Sequence, residues 1–215
     1  MERQRYVVPP TMGFYANHLF PHLMDWAMGS PRIQEQRALA LGPAHGEALE
    51  IGFGTGLNLP HYPNAVTALT AVDPATLLPK TIARRIAAAG RPVTLTHLNA
   101  EQLPFPDRRF DCVVSTWTLC TIPDALAALR EVGRVLKPQG QFVFLEHGRS
   151  SDARVATWQD RLNPLQRIIA CGCNLNRPID ALILQAGLNL YSLERYVMPG
   201  VPRIAGEMYR GIATR

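Results

Sequence analysis

Leu49-Glu50-Ile51-Gly52-Phe53-Gly54-Thr55-Gly56 is the stretch on which the reading of this chain turns. It reads as a buried strand ending in a tight glycine loop. The next apolar run, Val66 to Val72, ends at Asp73, seventeen residues after the last glycine. Glycines at alternate positions strip one face of the loop of Cβ atoms, so the backbone can take positive φ and a ligand can lie against bare amides. The loop is predicted to open onto a helix N-terminus, whose free N–H groups and dipole favour an anionic group. A carboxylate at Asp73 can accept two hydrogen bonds from a ribose diol. Together these features imply a nucleoside site.

The spacing narrows the nucleoside. A dinucleotide loop places its third glycine after two intervening residues, and the amides there hold a pyrophosphate. Here the run is Gly52-x-Gly54-x-Gly56, and Leu57 occupies the slot that the longer motif needs for glycine. Glu50 adds an anion where a pyrophosphate would be repelled and a cationic ligand end would be favoured. S-adenosylmethionine, with its ammonium, sulfonium and carboxylate, fits these charges better than a nicotinamide dinucleotide does. A nicotinamide-dependent oxidoreductase and a non-catalytic nucleoside-binding protein remain the alternatives.

Four blocks, LEIGFGTG at 49–56, AVDP at 71–74, NAEQLPFPDRRFDCVVSTWTLC at 99–120 and REVGRVLKPQG at 130–140, resemble the class I S-adenosylmethionine-dependent methyltransferases, of the type 11 kind. The resemblance runs over roughly residues 45–147. It implies a Rossmann-like, doubly wound sheet of seven mostly parallel strands in the order 3-2-1-4-5-7-6, with a reversed C-terminal hairpin at one edge. It also implies S-adenosylmethionine as cofactor, held by Glu50, Gly52, Gly54, Gly56, Asp73, Pro74, Asn99, Ala100, Glu101, Ser115 and Thr116. At Asn99 the family usually carries an aspartate that accepts from the adenine amino group, and an amide oxygen can accept the same bond without charge.

The residues independently give strands alternating with helices, the pattern of a parallel α/β sheet. Strands are predicted at Val66–Val72, Val93–Leu98, Phe110–Thr116 and Gln141–Glu146. Helices are predicted at Leu77–Ala89, closed by Gly90, and from Pro123 to Leu136, where Lys137-Pro138-Gln139-Gly140 ends the element. A helix at Ile179–Ala186 and strands near 190–198 and 207–214 complete the chain. At 215 residues it most simply forms one domain, 1–215. Within it lie a helical N-terminal cap over 6–40, a cofactor-binding core over 45–147, and an insertion over 150–178, broken by Pro164 and Pro178, that in the resembled family caps the acceptor.

Several side chains have two readings. Trp117 lies beside the expected position of the reacting methyl, where it either contacts the acceptor or packs under the adjoining helix. His147, at the end of the fifth strand, either takes a proton from the acceptor or is a structural histidine bonded to the following loop. Arg177 pairs with an anionic substrate group or is an ordinary loop residue beside Cys171, Cys173 and Asn176. His18 and His22 have helical metal-ligand spacing without a third ligand, so no metal is expected. Leu103-Pro104-Phe105-Pro106 reads as a loop packed on the protein.

Composition bounds the rest. No stretch reaches 18 consecutive apolar residues and no signal-peptide core stands at the N-terminus, so a cytoplasmic location is expected. The four cysteines, Cys112, Cys120, Cys171 and Cys173, lack metal-ligand spacing and are expected as free thiols. A formal net charge of +5 without a basic block interleaved with aromatics argues against a nucleic-acid partner. The stretches at 116–124, 144–149, 158–164 and 173–183 resemble small bacterial methyltransferases related to the membrane-associated alkyl thiol methyltransferases of animals and often labelled phospholipid N-methyltransferases. That resemblance implies a small, partly apolar acceptor, a thiol sulfur ahead of an amine or phospholipid headgroup. The animal relatives carry an N-terminal hydrophobic anchor, whereas Met12–Met28 reads at most as an interfacial helix that could touch a membrane peripherally.

Overall fold

The computed structural model describes residues 13–215 except Thr76, so the start of the expected cap, 6–12, lies outside the described residues. A π-helical turn, Tyr15–Leu19, runs into α1 (Phe20–Met28). Pro21 falls in the first turn of α1, where no backbone N–H is required, so it opens the helix. Ser30 and Pro31 then start α2 (Pro31–Leu41). The core alternates β1 (Gly46–Ile51), β2 (Val66–Val72), α3 (Pro79–Ala87), β3 (Val93–Thr96), β4 (Phe110–Thr116), α4 (Ala125–Val135) and β5 (Leu136–His147). After it come α5 (Ala153–Ile169), α6 (Ile179–Gln185), β6 (Asn189–Val197), the short α7 (Arg203–Gly206) and β7 (Glu207–Thr214).

The strands form one seven-stranded sheet in the order β3-β2-β1-β4-β5-β7-β6. The first five pair in parallel, and β7 pairs antiparallel with both β5 and β6. The expected architecture and strand order therefore stand. Burial follows the two-residue period of a strand. Leu49, Ile51, Val113, Phe142 and Phe144 face a core completed by α4 and α6, while Ala48, Cys112, Val114 and Val143 face a second core with Leu41 and Ile82. Both faces of the central strands are covered, as a parallel sheet requires.

Three local expectations need correction. Lys137–Gly140 continues α4 directly into β5, with Leu136 already paired to Phe110 across a register shift. The fully buried Leu136 anchors the strand before the Pro-Gly pair is reached. Pro164 lies inside an unbroken seventeen-residue α5. Asp160, whose carbonyl loses its helical donor, is exposed, so water can satisfy it. No α-helix follows the glycine loop. Residues 57–65 turn through a single 3-10 element, Leu59–His61, because Pro60 and Pro63 remove two backbone donors.

Candidate active site

The strand order reverses between β1 and β4, and ligands of doubly wound sheets lie at the carboxyl ends of the strands beside such a switch point. A cavity of about 690 Å³ opens there. The side chains along it can be ordered by their strands. Asp73 follows β2 and His147 ends β5, three strand spacings away, roughly 14 Å.

At the β1–β2 side, Gly52, Gly54 and Gly56 all have positive φ, at 75°, 56° and 81°. Gly54 and Asp73 are tied together, the Gly54 N–H donating to Asp73 Oδ2 at 2.8 Å while Ala75 N–H donates to Oδ1 at 2.9 Å. Burial holds the Asp73 carboxyl above its usual range, against the lowering effect of these two bonds. α1 clamps the loop from outside. Thr55 Oγ1 donates to Asp25 at 2.5 Å, and Arg85 of α3 pairs with the same carboxylate at 2.6 Å. Pro74, Asn99, Ala100 and Glu101 line the cavity beyond Asp73, with Glu101 also accepting from the Asp124 N–H at the start of α4.

Below the loop lies a buried polar network. Glu50 accepts from Asn58 Nδ2 and from the Tyr62 hydroxyl, each at 2.8 Å. Arg37 of α2 donates from one terminal nitrogen to Asn58 Oδ1 at 2.7 Å and to Thr116 Oγ1 at 2.8 Å, and its guanidinium stacks 4.7 Å from the Trp117 ring centre. Burial raises the Glu50 carboxyl to about 7 and lowers the Arg37 guanidinium to about 10. Arg37 Nε is buried with no hydrogen-bond partner among the described residues. An unpaired buried N–H is costly, and here it belongs to a cavity-lining cation. Sequence reasoning missed Arg37. The signal was present, because Arg37 falls at helical spacing with Ile33, Ala40 and Leu41 on the face that α2 buries.

Trp117 adopts a left-handed backbone with φ 50°, uncommon for a bulky residue. Glu146, wholly buried, holds the turn. It accepts from Ser115 Oγ at 2.6 Å, from the Thr118 N–H at 2.9 Å and from the Leu119 N–H at 3.1 Å. Burial raises this carboxyl also to about 7, despite those bonds. Both buried carboxyls therefore keep their protons in the folded chain to about 7, while the unfolded chain releases them near the ordinary 4.5. The stability they confer is complete below pH 4.5 and lost as pH rises through 7. The melting temperature is expected to fall between about pH 5 and about pH 7.5, and to fall less in Glu50→Gln. Equal slopes for the two proteins would show that Glu50 is not the titrating group.

On the β5 side, His147 Nε2 lies 3.0 Å from Cys173 Sγ. Burial pushes the His147 imidazole down, but the bond and charge of Cys173, with Glu146, more than offset it and the value is raised. The Cys173 thiol is pushed below its usual range, through hydrogen bonding from Cys120 and then His147, against burial. The imidazole is thus engaged by a cysteine from the α5–α6 loop, where the sequence offered either a free base or a structural histidine. All four cysteines are free thiols, as expected.

Three sequence-predicted site residues do not line the cavity. Gly56 packs beneath Phe53 and Leu59, Ser115 points to Glu146, and Arg177 spends its guanidinium on the carbonyls of Leu119 and Pro123. Arg177 thereby ties the α5–α6 loop to the turn after β4. Trp117 lines the cavity, stacks on Arg37 of α2 and packs near Met198 and Met208. His18 and His22 are exposed, with His18 against the Phe14 ring. Leu103 is buried and Phe105 packs edge-on to Phe110 at 5.2 Å. No helix among the described residues is long and apolar enough to cross a membrane.

Comparison with known proteins agrees with this geometry. A methyltransferase-domain family profile matches residues 49–144. The human thiol S-methyltransferase TMT1A is 33% identical over 160 residues, which cover 70% of this chain and 63% of that protein. The phosphatidylethanolamine N-methyltransferase of Cereibacter sphaeroides is 32% identical over 129 residues, 58% of this chain and 63% of that one. The chain thus spans under two thirds of the length of these curated relatives. Among solved structures, an S-adenosylmethionine-dependent methyltransferase from Mesorhizobium loti superposes with a TM-score of 0.64 over 87% of this chain and 100% of that one, at 16% identity, a likeness of fold. With the strand order and the glycine loop in agreement with the family match, residues 49–144 carry a methyltransferase domain on the fold of the S-adenosylmethionine-dependent methyltransferases.

Proposed function

We propose that the protein transfers the methyl group of S-adenosylmethionine to a small, partly apolar acceptor, a thiol sulfur ahead of an amine. The observation that carries this reading is the polarity of this cavity. A nucleoside loop and a buried Glu50–Arg37 network stand at its β1–β2 side, and a sulfur-rich, largely apolar wall with Cys120, His147, Cys173 and Met208 stands at its β5 side. The residues fit the donor. The Cβ that any other residue would carry at Gly54 meets open space, leaving room for a nucleoside against the amides, and the unpartnered Arg37 Nε lacks an anion such as the donor's carboxylate. In this reading Gly52, Gly54, Asp73 and Pro74 hold the ribose, Asn99, Ala100 and Glu101 surround the adenine, and Glu50, Arg37 and Thr116 face the methionine end.

S-adenosylmethionine supplies an activated methyl, since its sulfonium is already a good leaving group. The protein's part is alignment and exclusion of water, and orientation alone can lower a barrier by roughly 7–11 kcal/mol. Trp117, stacked on Arg37 in the turn whose neighbouring residues Glu146 holds, forms a wall for the acceptor. Similarity to a phosphatidylethanolamine N-methyltransferase supports an amine acceptor as the second reading. Incubation with labelled donor and a panel of thiols, amines, phenols and phospholipids separates them, with label expected on thiols. Donor binding with transfer to none of them would make the protein a binding module and overturn the proposal. In the same assay His147→Ala is expected to lower the rate by up to about 10²-fold while leaving affinity for S-adenosylhomocysteine unchanged.

A further inference from the structure

Cys120, His147 and Cys173 come from three separate elements, the turn after β4, the end of β5 and the α5–α6 loop. Their ligand atoms, two sulfurs and one ring nitrogen, all lie within 4.8 Å of one another. No spacing rule could find this group, since each member lies 26 or more positions from the next. The geometry points to a Cys2His metal site, taking zinc by preference, whose fourth position opens to the cavity and binds the sulfur of a thiol acceptor.

The donor set and its dimensions carry the assignment. Thiolates and imidazole are the ligands zinc prefers, and three protein ligands with one open position is the pattern of catalytic zinc. Tetrahedral zinc with metal–sulfur bonds near 2.3 Å and metal–nitrogen bonds near 2.05 Å separates its ligand atoms by about 3.5–3.8 Å. The observed 3.0 Å from His147 Nε2 to Cys173 Sγ and the 4.8 Å bound on the group bracket that value. All three residues line the cavity.

The loops that bring the ligands together are pinned independently of them. Asn174 donates from both its backbone N–H, at 2.9 Å, and its side-chain amide, at 2.8 Å, to the Cys120 carbonyl, locking the two cysteine-bearing segments side by side. Asn163 of α5 accepts from the Leu175 N–H at 2.8 Å, and Arg177 holds the Leu119 carbonyl. Cys171 and Gly172 turn the chain with left-handed backbones, at φ 48° and 98°, so that Cys173 points back into the cavity. A site whose ligand-bearing segments are fixed by other bonds loses little freedom on taking an ion.

The fourth-ligand part rests on the thiol-transfer reading above. On binding, the acceptor thiol releases its proton to solvent and its sulfur joins the metal as a thiolate. A sulfur lone pair then forms the bond to the donor methyl as the carbon–sulfonium bond breaks, its electron pair going to the donor sulfur. The products are a methyl thioether and neutral S-adenosylhomocysteine. A thioether is a weak ligand for zinc, so it leaves and the position reopens.

The test uses the full chain, stripped with chelator and kept reduced with a phosphine, and titrated with zinc and separately with cobalt(II). One ion per chain is expected, tighter than about 1 μM, with cobalt giving the visible bands of a tetrahedral site and sulfur-to-metal charge transfer. Cys173→Ser and His147→Ala should weaken uptake by at least tenfold while still binding S-adenosylhomocysteine, which reports an intact fold. Adding 2-mercaptoethanol to the cobalt protein should strengthen the charge-transfer band, and ethylene glycol should not. Failure of the reduced protein to take up metal, or equal uptake by the Cys173→Ser variant, overturns the site. A Cys120–Cys173 disulfide in protein that takes no metal once reduced identifies a dithiol and overturns it equally. Metal uptake without a response to the thiol overturns the acceptor role alone. Metal binding is read without donor or acceptor, so its failure is distinct from failure of the methyl-transfer reading, which donor binding and labelled transfer report.

Discussion

Gly54→Val is expected to abolish binding of S-adenosylmethionine and S-adenosylhomocysteine while the protein stays folded. A Cβ at Gly54 meets no atom within 4 Å, so the fold itself has room for a side chain there. The loop lines the cavity, and that room is where the nucleoside is proposed to lie. The left-handed φ of 56° adds strain of roughly 1–2 kcal/mol for a residue with a Cβ, more for a branched one. Gly52 provides the contrast, because its Cβ would fall 2.1 Å from the Thr118 side chain. Gly52→Val is therefore expected to damage folding, and Gly54→Val to damage binding. Calorimetry with S-adenosylhomocysteine and circular-dichroism melting distinguish them, and a Gly54→Val protein that binds the ligand normally would remove the glycine loop from the site.

Arg37→Met is expected to cost about 2–4 kcal/mol of stability, for the Asn58 and Thr116 oxygens that lose their charged donor, and to lose donor binding as well. Arg37 is buried, bridges α2 to Asn58 and Thr116, and is the cation whose charge acts on the buried Glu50. Methionine keeps most of the volume and the contact with Trp117 but leaves Glu50 without that charge. Asn58 bonds to both Arg37 and Glu50, so the two act through one buried network. Arg37→Met with Glu50→Gln should therefore regain more than about 1 kcal/mol of the single-mutant loss, measured as a double-mutant cycle in denaturant. Additive losses would show that Arg37 and Glu50 act independently.

The secondary structure was legible because it rests on local pattern, whereas the strand order came with the family resemblance. β4 and β7 begin and end where the apolar runs at 110–116 and 207–214 do, and α4 follows its helical spacing within two residues at either end. The misreadings came from treating proline and glycine as local punctuation. Pro164 sits mid-helix because Asp160 is on the surface, and Lys137–Gly140 is strand because Phe110 pairs with Leu136. Neither fact is available to a reading that moves along the chain.

The site divides in the same way. Glu50, the glycines and Asp73 were readable because a strand, a tight loop and the end of the next strand place them together within one short stretch, whatever the rest of the chain does. Arg37, the tie of Thr118 to Glu146 and the convergence of Cys120, His147 and Cys173 were not, because each joins residues distant along the chain through packing of separate elements. The sequence by itself determined the strands, the helices and the glycine loop, since hydrophobic periodicity and glycine conformations act over a few residues. Only the tertiary structure decided which charges are buried and what lines the acceptor side, because desolvation and the meeting of side chains exist only once the helices close over the strand ends.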